Sequence, residues 1–243
     1  MTDFTMFAAK LSTSLSVNGL AAFCTDTVAN KLYRLTERML EVNEYMNLTA
    51  ITDIDGIIMK HYVDSLAAAS YLPNSARVID IGCGAGFPSL PLAIARPDLD
   101  ITALDSTAKR INYIRETAEM LEITNITCVS ARAEEYVGEG GQREGYDIAC
   151  ARAVARLNVL CELCLPYVKV GGKFIAMKAN AAEELAESSN AIKKLGGNLV
   201  ASDTFSLISD TGEDPRCIIT IEKISETPKN YPRNNSQIKK KPL

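Results

Sequence analysis

Residues 77–88 constrain the fold more than any other stretch. Arg77-Val78-Ile79-Asp80-Ile81 runs straight into Gly82-Cys83-Gly84-Ala85-Gly86-Phe87-Pro88. The first five residues predict a strand. Three glycines in the next five positions predict a sharp turn into a helix, with backbone bare enough for a ligand to approach where a Cβ would otherwise stand. An ordinary strand–helix turn has no need of three glycines. The junction therefore predicts the first strand of a βαβ run with a small molecule held at the turn.

The following residues supply the other units. Strands are predicted at 101–105, 126–130, 146–151 and 173–178, with helices near 89–96, 108–121, 155–167 and 181–195. This alternation predicts a parallel, doubly wound α/β sheet. Residues 198–207 and 216–223 are two strand-like runs with only a short loop between them, so they are predicted to pair antiparallel at one sheet edge. Such a terminal hairpin is unusual for a dinucleotide-binding sheet. It is usual for methyltransferases that use S-adenosylmethionine, which is an analogy at the level of fold.

The first seventy residues read as helices. From 27 to 46 the apolar residues Val28, Leu32, Leu35, Met39, Leu40 and Val42 recur at spacings of one helix face, with Thr25 or Asp26 as cap. A second helix is predicted from 53 to 71, with Ile57, Ile58, Tyr62, Leu66 and Ala69 inward, and Leu72-Pro73-Asn74-Ser75 breaks it. The expected organisation is a helical extension over 1–74, a ligand-binding domain over 75–224 and a basic tail over 225–243.

A pyrophosphate fingerprint would place its third glycine where this chain has Phe87. Asp80, just before the turn, would repel a pyrophosphate and suits a ligand with an ammonium group. The methionine part of S-adenosylmethionine carries both an ammonium and a sulfonium. Asp105 ends the second strand nineteen residues after Gly86, where an acid accepts hydrogen bonds from ribose hydroxyls. Ser130-Ala131-Arg132-Ala133-Glu134 follows the third strand, within reach of an adenine edge. Together with Gly82, Gly84 and Gly86, this set fits S-adenosylmethionine better than NAD.

Other chemistries find little support. His61 is the single histidine and lies with Asp64 and Ser65 on one helical turn. A catalytic triad converges from separate elements, so His61 is expected to make a packing or interdomain contact. Cys161 and Cys164 form a Cys-x-x-Cys within a helix and without a second pair, which reads as packing; no metal site is expected. The exit of the fourth strand, Ala151-Arg152-Ala153-Val154-Ala155, has neither the Asp/Asn-Pro-Pro-aromatic device of amino-group methylation nor the Pro-Cys nucleophile of cytosine C5 methylation. With no evident general base, an acceptor that needs no deprotonation fits, and guanine N7 is such an atom.

The chain carries a net charge of −4, unevenly spread: residues 223–243 hold +5 and the remainder −9. A basic tail on an acidic body is a cue for a polyanionic partner. No secretory signal and no apolar run of roughly 18 residues is present, so the seven cysteines read as reduced thiols of a cytoplasmic protein.

In these residues the chain resembles the bacterial 16S rRNA guanine-N7 methyltransferase family, formerly called glucose-inhibited division protein B. The matching pieces run in order from Asn47-Leu48-Thr49-Ala50-Ile51 and His61-Tyr62-Val63-Asp64-Ser65-Leu66 through Asp80 to Pro88. They continue with Lys109-Arg110, Arg132-Ala133-Glu134, Ala151-Arg152-Ala153-Val154-Ala155, Gly171-Gly172 and Tyr231-Pro232-Arg233. The resemblance implies a Rossmann-like methyltransferase sheet and methylation of a guanine N7 in the 530 loop of 16S rRNA, free or in an assembling small subunit. It implies cofactor contacts from Gly82, Phe87, the backbone at Ala133 and Glu134, and Arg152. RNA contacts are expected from Arg233, Lys239, Lys240 and Lys241; no residue is singled out as catalytic. Two departures stand out: Cys83, where the family often has Ser or Ala, and Asn234-Asn235-Ser236, where it commonly has a basic residue and a glycine. A methyltransferase for a different RNA, a protein or a small molecule stays open, as does a cofactor-binding scaffold without catalysis.

Overall fold

Seven strands form one mixed sheet in the computed structural model, which describes residues 3–152 and 154–243. They are β1 (Arg77–Ile81), β2 (Asp100–Asp105), β3 (Ile126–Ser130), β4 (Tyr146–Arg152), β5 (Val168–Lys178), β6 (Gly197–Ser209) and β7 (Gly212–Lys223). Their order is β3-β2-β1-β4-β5-β7-β6. Strands β1 to β5 are parallel, and β7 runs antiparallel between β5 and β6. The predicted terminal hairpin is present and longer than its apolar runs suggested, with pairing down to Ser209 opposite Gly212. Because β1 lies between β2 and β4, the strand order reverses at the end of β1. That reversal opens the crevice in which open α/β sheets bind ligands.

Alternation along the strands builds two apolar layers. Val78, Ile101 and Ile175 face one layer; Ile79, Ile81, Leu104 and Phe174 face the other. The first layer is covered by α1 (Phe4–Val17), α2 (Asp26–Met46), α3 (Ile54–Ile57), α4 (Asp64–Leu66), α5 (Ser89–Ala95) and α6 (Ala108–Met120). Phe7, Leu32, Leu35, Met39 and Tyr62 share its core with the sheet residues, so the N-terminal helices and the sheet bury one continuous surface. The second layer holds α7 (Ala133–Tyr136), α8 (Leu157–Cys164) and α9 (Ala182–Lys194), and α10 (Asn235–Lys240) packs on α8. Cys161 and Cys164 are fully buried in this core, as packing residues. None of the described helices is long and apolar enough to cross a membrane.

Helix α2 begins where its cap predicts: Thr25 Oγ1 accepts from the Val28 amide at 3.3 Å. The predicted helix over 53–71 holds its inward set, since Ile57, Ile58, Tyr62, Leu66 and Ala69 are all buried. It is not one regular helix, however. Ile58–Val63 between α3 and α4 is a π-helix, and Ala69–Tyr71 is a 3-10 turn. From Ile57 to Leu66 every residue except Lys60 is buried, so this segment is enclosed on nearly all sides rather than amphipathic. Its apolar spacing consequently carries no mark of the wider turn.

The C-terminal stretch is docked rather than free. Lys223, counted above with the basic tail, is fully buried and donates to Glu144 Oε1, Leu165 O and Val168 O at 2.9, 2.8 and 3.0 Å. Tyr231 and Ile238 are buried as well.

Candidate active site

A cavity of about 630 Å³ opens where β1, β2 and β4 end, and residues from both layers line it. The three glycines that predicted it do three different things. Gly82, at φ +75°, has no room for a Cβ, which would stand 2.8 Å from Val154 Cγ2. Gly84, at φ +58°, lines the cavity, and a Cβ there would meet no atom closer than 4.0 Å. Gly86, at φ +91°, serves packing: its Cβ would fall 2.6 Å from Leu90 Cδ1, and it is not part of the cavity wall. The turn is braced by Asp105, whose Oδ2 accepts from the Gly84 amide at 3.1 Å and Oδ1 from the Thr107 amide at 2.8 Å. Asp105 also lines the cavity, so one carboxylate shapes the loop and faces its ligand space.

Asp80 sits elsewhere than expected. It does not line the cavity. Its side chain is buried beneath the loop, with Oδ2 accepting the Ser89 hydroxyl and Oδ1 without a partner among the described residues. Burial pushes its pKa up to about 6. Ala133 and Glu134, in the first turn of α7, do line the cavity. The Ala133 carbonyl accepts from Tyr167 Oη at 2.6 Å, which anchors this turn. Glu134 Oε1 is buried with no hydrogen-bond partner among the described residues; its nearest cation is Arg132, whose Nη1 lies 3.9 Å away.

On the other side of β1, Phe87 and Arg152 reach the cavity together with His61, Asp64, Leu48 and Thr49 from the N-terminal region. The His61 ring stacks on Phe87, and His61 Nε2 lies 2.9 Å from Thr49 Oγ1. His61 therefore makes a packing contact with the end of the glycine loop, and it forms part of the cavity wall. Burial, then the nearby Arg152 cation, lowers the His61 pKa to about 4, so the ring is neutral at physiological pH. Arg152 donates to Asp64 Oδ2 at 2.7 Å and to the Lys60 carbonyl at 2.8 Å. Asp64 Oδ1 accepts from Arg216 Nε at 2.8 Å, so one carboxylate ties β4 and β7 to the start of α4. Arg216 has no local signal in the sequence; its role arises only because β7 lies beside β5. Ala153, next to Arg152, lies outside the described residues.

The chain end contributes as well. Asn235, Ile238 and Lys239 line the cavity. Lys240 and Lys241 are exposed. Arg233 donates from Nε to Glu162 Oε1 at 2.8 Å and from Nη2 to Glu162 Oε2 at 2.5 Å, while Glu162 is fully buried. Its guanidinium thus anchors the chain end to α8. Asn234, one of the departures noted above, caps α10 through its Oδ1 and the Gln237 amide.

The walls therefore offer carboxylate acceptors beside β2 and β3, a cation beside β4, and apolar Ile81, Leu104, Ala131 and Phe87 between. A ligand with a flat heterocycle, vicinal hydroxyls and a polar tail suits this distribution. The GidB family model, described as rRNA small subunit methyltransferase G, matches residues 28–207. A ribosomal RNA small subunit methyltransferase G of Geobacillus kaustophilus is 44% identical over 241 residues, covering 98% of this chain and 100% of the relative. Another, from Staphylococcus carnosus, is 48% identical over 211 residues, covering 85% of this chain and 87% of the relative. Among solved structures, TYW2 of M. jannaschii in complex with AdoMet superposes with a TM-score of 0.53 at 13% identity, over 67% of this chain and 76% of that one. The tRNA methyltransferase TrmK of B. subtilis gives a TM-score of 0.53 at 14% identity, over 69% and 68%. At these identities the two structures speak to the fold.

Proposed function

The chain belongs to the rRNA small subunit methyltransferase G family, and from that premise we propose that it methylates N7 of a guanine in the 530 loop of 16S rRNA. Membership makes it an S-adenosylmethionine-dependent methyltransferase of small-subunit rRNA. The acceptor atom and the loop are our reading. It is supported by three titratable groups of the cavity wall, each already engaged within the protein. His61 is neutral but shares Nε2 with Thr49, Asp64 is engaged by two arginines, and Asp105 braces the glycine turn. Guanine N7 has an in-plane lone pair and needs no base.

The residues present fit the cofactor. Glu134 Oε1 is a buried acceptor with no hydrogen bond among the described residues and only a long 3.9 Å approach from Arg132, and the positive-φ Gly84 leaves space where a side chain would intrude. When bound, S-adenosylmethionine supplies a methyl group activated by its sulfonium. Asp105 would accept from the ribose hydroxyls, Ala133 and Glu134 would meet the adenine edge, and Gly82 and Gly84 would leave bare backbone beside the remainder. Phe87, stacked on His61, closes the apolar wall, and Arg152 is held at the mouth by Asp64. Catalysis by these residues is positioning and exclusion of water.

The N7 edge of guanine faces the deep major groove of an RNA helix, closed to side chains, so the acceptor must lie in a loop or be displaced. We assign residues 1–74 and 225–243 to holding that RNA around the cofactor-binding part, 75–224. The substrate is 16S rRNA or an assembling small subunit, in the cytoplasm. The test is methyl transfer from labelled cofactor to small subunits that lack the modification, followed by nucleoside analysis and mapping. Label in 7-methylguanosine within the 530 loop supports the reading. Label in another nucleoside, in protein or in a small molecule overturns it.

A further inference from the structure

A second cavity, of about 290 Å³, is lined by Tyr45, Met46, Thr107, Lys109 and Arg110. Thr107 and Arg110 line the first cavity too, so the two share a wall. Tyr45, near the end of α2, is 67% exposed, an unusual display for a large ring. Lys109 is exposed and Arg110 half-buried. Among the described residues, no hydrogen bond or ion pair engages either side chain. Both stand in the first turn of α6, where the helix dipole disfavours cations, and no acidic residue occupies that turn. The fold gains nothing from this arrangement, and local rules broken without structural return point to function.

An open aromatic face beside two unpaired cations is the chemistry that holds a nucleotide, with the base on the ring and the phosphate at the cations. We propose that this second cavity is an RNA subsite. It binds a nucleotide flanking the target guanine, its base stacked on Tyr45 and its phosphate at Lys109 and Arg110. The shared wall sets the register: a nucleotide seated here leaves its neighbour at the mouth of the first cavity. This inference rests on the rRNA reading above and adds to it a site and its ligand class.

The test uses the full chain and a protein-free 16S rRNA fragment containing the 530 loop, with affinity measured across a salt series. Tyr45→Ala should weaken binding about tenfold, and Tyr45→Phe, which keeps the stacking face, should restore it. Lys109→Ala should weaken binding and lower the salt slope by about one. Both side chains are exposed, so folding and cofactor affinity, checked by urea unfolding and calorimetry, should match the unmodified chain. Unchanged RNA affinity and salt slope in Tyr45→Ala and Lys109→Ala would overturn the subsite. So would a loss seen with assembled subunits but not with protein-free RNA, since that outcome assigns the surface to a ribosomal protein. Failure of the unmodified chain to methylate any rRNA would instead remove the reading on which the subsite rests, and the subsite with it.

Discussion

The ring of His61 lies flat on Phe87, with centroids 4.4 Å apart and planes inclined by 11°. One ring comes from the π-helical segment and the other from the end of the glycine loop. The contact joins the N-terminal region to the ligand turn, and it requires a neutral imidazole, because its environment is both buried and next to Arg152.

The pKa of His61 sets a pH window. It falls to about 4 in the folded chain, against 6.5 when exposed. The unfolded chain therefore takes up this proton first as pH falls, and stability present above about 6.5 is lost between 6.5 and 4, by up to about 3 kcal/mol. Asp80 works the other way, because its raised pKa of about 6 favours the folded state as pH drops below 6. His61→Phe separates the two: urea unfolding at pH 7 and pH 5 should show less acid loss in the variant than in the unmodified chain. Single-turnover methyl transfer to saturating rRNA should be nearly flat between about pH 6 and 8, since His61 stays neutral throughout. A tenfold rise per pH unit that disappears in His61→Phe would identify His61 as a base and argue against N7.

The glycine turn predicts three separable phenotypes. Gly84→Val places a branched side chain into the cavity at a positive φ, so calorimetry should find no cofactor binding. Asp105→Ala removes ribose acceptors and the brace on the Gly84 amide, which should weaken cofactor binding by about 1.5–3 kcal/mol. Gly86→Ala drives a Cβ against Leu90 and should lower the unfolding midpoint before it touches affinity. Equal cofactor affinity in Gly84→Val and the unmodified chain would place the ligand elsewhere.

Asp64 holds Arg152 and Arg216 with one oxygen each. Asp64→Ala leaves two half-buried cations without their shared carboxylate and should destabilise by roughly 3 kcal/mol. Arg216→Ala keeps the Arg152 pair and should lose less. Its effect on methyl transfer should be mainly on kcat, through the placement of Arg152. A double-mutant cycle on the two residues measures the coupling, and additive losses would mean that they act independently.

Local pattern and long-range contact explain what the sequence showed and what it hid. The stripe of Val28, Leu32, Leu35, Met39 and Val42, with Leu40 half-buried at its edge, and the β1 turn are written in spacing over a few residues, and both match the structure. Asp105 and Arg152, at strand ends, and Ala133 and Glu134, in the turn of α7 that follows β3, all reach the cavity wall. Asp80 and Gly86 belong to the same motif but face the packing beneath the loop, because alternation and the Leu90 contact decide their direction. Arg216 and Lys239 meet the site only through sheet order and chain docking, which no local spacing encodes.

The chain end carries the last prediction, which its docking decides rather than its charge. A loose basic tail could be cut at Glu226 without harm to the fold or to cofactor binding. The docked tail cannot. Glu162 is fully buried, and its carboxylate is answered by Arg233, through the backbone amide, Nε and Nη2. Removing one partner of a buried pair costs about 3–5 kcal/mol, because the remaining charge has no solvent. Truncation after Glu226 should therefore lower the unfolding midpoint, and cofactor affinity should fall with the loss of Asn235, Ile238 and Lys239 from the cavity wall. Arg233→Ala should reproduce the loss of stability, and adding Glu162→Gln should recover part of it by removing the stranded charge. Lys240→Ala with Lys241→Ala, both exposed, should leave stability unchanged and reduce only the salt dependence of RNA binding. A truncated chain that unfolds at the same urea concentration and binds cofactor normally would show that the docked end is dispensable and that its contribution is charge alone.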